Sequence, residues 1–234
     1  MIYKLLESNN KSLILFFAGW AFTPEILENY KFDDSSVLII YDYTTIEDSD
    51  ISSINKILDN YSQVNLLAWS FGVFYAQYLF NKLNLSEKID ISVALAGSIE
   101  PISSNYGIPE QIFEGTLNTL SLRNLEKFFL RISNSRSVKT TYFDKDINWN
   151  IENLKKELEL TKKRNLEKFN CYINWNYIVI FKEDNIFPVN NLKVFWSEKY
   201  VQLTENQPRI IIEEGAHFPF YKWSSFNDIF KNLE

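Results

Sequence analysis

Val64-Asn65-Leu66-Leu67-Ala68-Trp69-Ser70-Phe71-Gly72-Val73 is an apolar run that stops at a serine and resumes with helical spacing. Val64 to Ala68 has the length and near-continuous hydrophobicity of a strand buried on both faces, the pattern of a parallel sheet. From Phe71 to Leu83 the apolar residues Val73, Ala76, Leu79 and Phe80 fall on one helical face. A strand turning this sharply into a helix strains the residue between them and exposes its side chain. Small residues two before and two after let the elements approach. Here those residues are Ala68 and Gly72, so the pattern is A-x-S-x-G, one methyl from the usual G-x-S-x-G. Ser70 is thereby a candidate nucleophile; the plain alternative is a serine capping the helix that begins near Phe71.

The same kind of run recurs along the chain, at Leu13 to Phe17, Val37 to Tyr41, Ile91 to Leu95, Tyr177 to Phe181 and Arg209 to Ile212. With Ile2 to Leu6 as an edge strand, about seven strands are expected in a mostly parallel α/β sheet. Asn9 to Ser12 and Asp33 to Ser36 read as turns, and the Asp-, Ser- and Thr-rich stretch Asp42 to Ser52 as a loop. Glycine is scarce and Asn abundant, so positions with positive φ are expected often to be Asn.

The chain has one histidine, His217, in Glu214-Gly215-Ala216-His217-Phe218-Pro219. A lone histidine cannot build a multi-histidine metal site, but it suffices as the base of a Ser-His-acid triad. Asp184 follows the strand Tyr177 to Phe181 and precedes Asn185-Ile186-Phe187-Pro188. The order Ser, Asp, His is that of α/β-hydrolases. Glu183 is the adjacent competitor for the acid, and the Asp-x-Ile/Phe-Pro context favours Asp184. Glu213 and Glu214 lie near enough in sequence to favour a charged imidazole. Ala18-Gly19-Trp20, at the end of the first core strand, can place the Trp20 N–H beside that of Phe71 as an oxyanion hole; otherwise Gly19 is only a strand-end turn. Trp20, Trp69 and Phe71 are expected to flank Ser70 as an apolar acyl pocket.

Composition narrows the function classes. The 234 residues are 46% hydrophobic and 16% aromatic, enough for a filled core in one domain. A net charge of −6 leaves no basic excess to neutralise the phosphates of a nucleic acid. The single cysteine, Cys171, excludes an intrachain disulfide and a Cys-cluster zinc site, and fits a reducing, cytoplasmic compartment. No Gly-rich phosphate loop is present, and the Asp42, Glu47, Asp48, Asp50 cluster lacks the spacing of a calcium loop. No metal and no cofactor are called for. The N-terminus reads as no signal peptide, and the apolar runs are too short to span a membrane.

Between Pro101 and Cys171 the strand rhythm stops. Glu110 to Phe113, Leu120 to Ile132 and Ile151 to Phe169 read as helices, with Asn148-Trp149-Asn150 capping the last. Residues 121 to 170 carry twelve Lys/Arg against seven acids, a balance of +5 that leaves −11 for the rest. The expected organisation is an α/β core over residues 1–100 and 172–234 with a basic helical lid over 101–171.

These motifs together resemble one family. Phe17-Ala18-Gly19-Trp20, Tyr41-Asp42-Tyr43, Leu67 to Val73, Ala94-Leu95-Ala96-Gly97-Ser98-Ile99-Glu100-Pro101-Ile102, Tyr106-Gly107-Ile108-Pro109 and Gly215 to Pro219 are similar to the BioG pimeloyl-acyl-carrier-protein methyl ester esterases of biotin synthesis. The resemblance runs over nearly the full length. It implies an α/β-hydrolase fold with a helical lid and a hydrophobic channel for the acyl chain, and an acidic acyl carrier protein as partner. Carried over by motif, it implies Ser70 as nucleophile, His217 as base, Asp184 as acid, and Trp20 and Phe71 as oxyanion donors. Arg123, Lys127, Arg131 and Arg136 are the carrier-binding candidates by composition. A broader carboxylesterase or thioesterase, and a non-catalytic hydrolase-fold binding protein, remain the alternatives.

Overall fold

The computed structural model describes residues 1–32 and 34–233. Seven strands form one sheet: β1 (Ile2–Leu6), β2 (Ser12–Phe17), β3 (Ser36–Tyr41), β4 (Gln63–Trp69), β5 (Ile89–Leu95), β6 (Tyr177–Glu183) and β7 (Arg209–Ala216). Their order is β1-β3-β2-β4-β5-β6-β7, with β1 antiparallel to β3 and every other neighbour parallel. Each expected strand is present, because Val/Ile/Leu/Phe runs covered on both faces satisfy the sheet and the core together. Leu13 to Phe17 and Leu66 to Ala68 are fully buried.

Helices flank the sheet. α1 (Asp48–Leu58) follows β3 and α2 (Phe71–Leu79) follows β4. Four helices lie between β5 and β6: α3 (Glu110–Asn118), α4 (Leu122–Ser133), α5 (Arg136–Phe143) and α6 (Ile151–Arg164). α7 (Val189–Val194) runs through a π turn at Phe195–Lys199 into α8 (Tyr200–Thr204), and α9 (Phe226–Lys231) ends the fold.

Several expectations need correction. Asp42 to Ser52 is not all loop, since α1 begins at Asp48. Its Asp48 and Asp50 occupy the first turn, where the helix dipole favours acids, while Ile51, Ile54 and Leu58 supply the buried stripe. α2 ends at Leu79 rather than Leu83, and α6 ends at Arg164 rather than Phe169. Asn150 does cap α6, its side chain accepting from the Asn153 N–H. Of the seven non-glycine residues with positive φ among those described, only Asn84 and Asn134 are asparagine. Asp33, part of an expected turn, lies outside the described residues.

The topology fixes where a site can form. Chain order reverses between β2 and β4, and ligands in open α/β sheets bind beyond the strand ends at such a switch. The ends of β2 and β4 carry Ala18-Gly19-Trp20 and Ser70 respectively. Phe17 pairs with Ala68, so the two loops leave the sheet side by side.

Candidate active site

Ser70 joins β4 to α2 at φ 57°, ψ −126°, a conformation that side-chain-bearing residues rarely hold. Its N–H donates to Leu95 O at 2.9 Å, tying the turn to β5. Gly72 is obligatory there: a Cβ on it would lie 2.0 Å from the Phe17 carbonyl oxygen. A Cβ on Gly19 would come within 2.9 Å of the Ser70 Cβ, so Gly19 is a close-approach position facing Ser70. Ala68 is fully buried, and the extra methyl is accommodated without opening the turn. The Ser70 side chain makes no capping hydrogen bond to α2, which removes the helix-cap reading.

Its hydroxyl instead lies 2.9 Å from His217 Nε2, and His217 Nδ1 lies 2.8 Å from Asp184 Oδ2. Sheet register produces the second contact. β7 extends past the expected Ile212 to Ala216, Glu183 pairs with Ala216 after a bulge, and the next residues on the two strands are Asp184 and His217. The other Asp184 oxygen, Oδ1, accepts from the Ile186 and Phe187 N–H groups at 2.8 and 2.9 Å. Glu183 points away and accepts from Asn134 Nδ2 at the surface. All three side chains of the Ser-His-Asp chain are buried. A hydroxyl bonded to one imidazole nitrogen, with the other nitrogen held by a carboxylate, is the arrangement that makes serine a nucleophile.

The imidazole is held from behind as well. Trp69 Nε1 donates to the His217 carbonyl at 2.7 Å, and the Phe187 ring lies parallel to the imidazole at 5.8 Å. Trp69 was expected to line the acyl pocket; it lies instead among Phe22, Phe218 and Phe220 behind the site, because strand alternation turns it away from Ser70. Glu213 and Glu214, expected beside the imidazole, are engaged elsewhere. Lys222 and Lys182 pair with them at the surface. Among the described residues the Trp20 and Phe71 N–H groups have no hydrogen-bond acceptor, which leaves both available to an oxygen in the cleft.

Ser70 opens into a cleft of about 460 Å³, solvent at its mouth included, with walls of Trp20, Phe71, Ile108, Phe113, Leu158 and Ile186. Trp20 is fastened to the inserted helices: its indole N–H donates to Leu154 O of α6 at 3.0 Å, and its ring meets Phe128 of α4 edge-on at 4.9 Å. α6 in turn is bound to the core by a buried polar cluster that no sequence pattern signals. Glu157 Oε1 accepts from the Tyr43 N–H, Thr161 meets Tyr75 Oη at 2.7 Å, and Arg164 Nη1 donates to Tyr43 O at 2.6 Å. Burial, with Asp42 nearby, pushes the Glu157 carboxyl up to about 8.

The basic candidates lie on one surface. Arg123, Lys127 and Arg131 recur every four residues along α4, and Arg136 opens α5; all four are exposed. Among the described residues none has an acid within 4.0 Å. Arg131 also reaches the mouth of the Ser70 cleft. The described residues hold no group of three or more His, Cys, Asp or Glu fit to bind a metal, and no helix long and apolar enough to cross a membrane.

Comparison with known proteins decides the lineage: the family described as pimeloyl-ACP methyl esterase BioG matches residues 1–225. The chain belongs to the BioG family. The crystal structure of BioG from Haemophilus influenzae has the same fold, with a TM-score of 0.79 at 24% identity over 97% of this chain and 99% of that one. Human thioesterase 2 superposes with a TM-score of 0.56 at 12% identity over 95% of this chain and 93% of that one, so the two share a fold. A malonyl-[acyl-carrier protein] O-methyltransferase of Bacteroides fragilis is 32% identical over 89% of this chain, which spans only 40% of that relative's length.

Proposed function

We propose that this BioG-family chain is a serine esterase that hydrolyses the methyl ester of pimeloyl-acyl-carrier protein, releasing methanol and the free carboxylate. The observation that carries the proposal is the buried Ser70–His217–Asp184 hydrogen-bond chain at the floor of an apolar cleft. Ser70 Oγ attacks the ester carbonyl while His217 Nε2 takes its proton. The oxyanion sits against the Trp20 and Phe71 N–H groups. His217 then protonates the departing methoxide, and methanol leaves an acyl-Ser70. Water, deprotonated by His217, attacks that acyl group. Collapse frees the carboxylic acid and returns the proton to Ser70. Asp184 holds the Nδ1–H throughout and stabilises the imidazolium.

In this reading residues 101–171 are the lid, and the alkyl chain lies between Phe113, Leu158 and Ile186. The exposed cations Arg123, Lys127, Arg131 and Arg136 receive the acidic carrier, where complementary charge speeds and orients docking. The reaction takes place without a cofactor. Purified protein should release methanol from the methyl ester of the pimeloyl carrier protein, and Ser70→Ala should abolish release. Faster cleavage of carrier thioesters than of the methyl ester would replace the proposal with a thioesterase. Failure of a fluorophosphonate probe to label Ser70 would point to a binding protein instead.

A further inference from the structure

A second groove begins where the Ser70 cleft ends. Ile112, Thr116, Phe128 and Arg131 line both spaces. From that shared rim the groove runs along the α3–α4 hairpin past Gly115, Thr119 and Lys127 to Asn124. Beyond the shared Ile112 and Phe128 its lining adds hydrogen-bonding side chains, Gln111, Thr119 and Asn124, and the cations Lys127 and Arg131 border it. Gly115 forms part of its wall, and a Cβ placed on Gly115 would meet nothing within 4 Å. Glycine is a poor helix former, yet it stands inside α3 with no positive φ and no close backbone to require it. What its missing side chain provides is open groove.

We propose that this groove binds the pantetheine arm of the substrate, with Lys127, backed by Arg123 one turn away, holding the arm's terminal phosphate. The inference rests on the carrier-linked ester reading. Such a substrate reaches Ser70 by its far end, so the seven-carbon acyl chain fills the cleft and the thioester emerges near Arg131. Beyond the sulfur the arm carries two amides, which hydrogen-bonding side chains suit, and then a phosphate ester. Sulfur to phosphorus spans roughly 15 Å when extended, at about 1.2 Å per backbone-like bond. From Arg131 back to Arg123 is eight helical residues, roughly 12 Å at 1.5 Å per residue. The phosphate therefore arrives near Arg123, within reach of the long Lys127 side chain one turn away, and both cations can form charge-assisted bonds to it.

The test uses the full chain carrying Ser70→Ala, so that binding is read without turnover. Calorimetric titration compares the methyl pimeloyl ester of phosphopantetheine with that of pantetheine, which lacks the phosphate. The phosphate-bearing ester should bind roughly fivefold tighter or more. Lys127→Ala should make the two affinities equal, and Lys127→Arg should keep the difference. Gly115→Leu should weaken both esters about tenfold without lowering the melting temperature, since leucine is the better helix former. Equal affinity for the two esters in the Ser70→Ala chain overturns the proposal, as does undiminished binding by Gly115→Leu. Methanol release by the wild-type chain is measured in parallel. Its absence defeats the esterase reading, whereas release without any phosphate preference defeats the groove alone.

Discussion

Replacing Asp184 with asparagine swaps one carboxylate oxygen for an NH₂ group, removes a charge and changes almost no shape, and the surrounding bonds determine which way the new amide must face. Asp184 Oδ1 accepts two main-chain N–H bonds, from Ile186 and Phe187 at 2.8 and 2.9 Å. Only the amide oxygen of asparagine can replace it there, so the NH₂ group points at His217 Nδ1. An NH₂ facing Nδ1 makes that nitrogen an acceptor and moves the imidazole proton to Nε2, which lies 2.9 Å from the Ser70 hydroxyl. Nε2 can then no longer accept the serine proton. The expected loss in kcat is about 10⁴-fold, or roughly 5.4 kcal/mol of transition-state stabilisation at about 1.36 kcal/mol per decade. KM should change less than threefold, because Asp184 does not line the cleft. Initial rates of methanol release at saturating carrier ester, with a circular-dichroism melt to show the fold intact, provide the measurement. Glu183→Gln is the control and should retain activity within twofold. An Asp184→Asn enzyme within tenfold of wild type would refute the reasoning.

Three further outcomes follow from the packing. Gly72→Ala drives a methyl into the Phe17 carbonyl and should destabilise the fold by about 3 kcal/mol or more, read by urea denaturation. Glu157, raised to about 8 by burial and by Asp42, holds its proton more tightly in the folded than in the unfolded chain, so stability should fall as pH rises from about 4.5 to about 8. The upper bound of that loss is roughly 5 kcal/mol at about 1.4 kcal/mol per pKa unit; denaturation at both ends of the window should show it, and Glu157→Gln should flatten the slope. Charge reversal at Arg123 and Arg136 should raise KM for the carrier-borne ester about tenfold at low salt, an effect that shrinks at high ionic strength.

The sheet and the Ser-His-Asp order were legible because both rest on local signals: unbroken apolar runs, and a serine, an aspartate and the lone histidine each at a strand end. Pairing of Glu183 with Ala216, which brings Asp184 to His217, depends on β-bulge geometry that no spacing rule states. Asp48 to Ser52, the start of α1, reads as loop because its Asp and Ser residues are turn formers, and only the helix dipole and the buried Ile51, Ile54 and Leu58 reveal the helix. Sequence proximity puts Trp69 in the pocket, whereas strand alternation turns it behind the imidazole. The Glu157–Tyr43–Arg164 cluster is invisible in the sequence because Tyr43 lies more than a hundred residues from the other two and only tertiary packing joins them.

In the proposed mechanism Trp20 lends its main-chain N–H to the oxyanion, while its indole is bonded to the Leu154 carbonyl and packed on Phe128. Domain shuffling between relatives therefore meets a hidden constraint. A chimera that inherits foreign helices on this sheet also inherits a foreign seat for that indole, and the amide that must meet the oxyanion moves with it. Substrate range and reaction speed in such hybrids would change together, and an engineer seeking new acyl preferences would do best to keep Leu154, Phe128 and Trp20 as one transplanted unit.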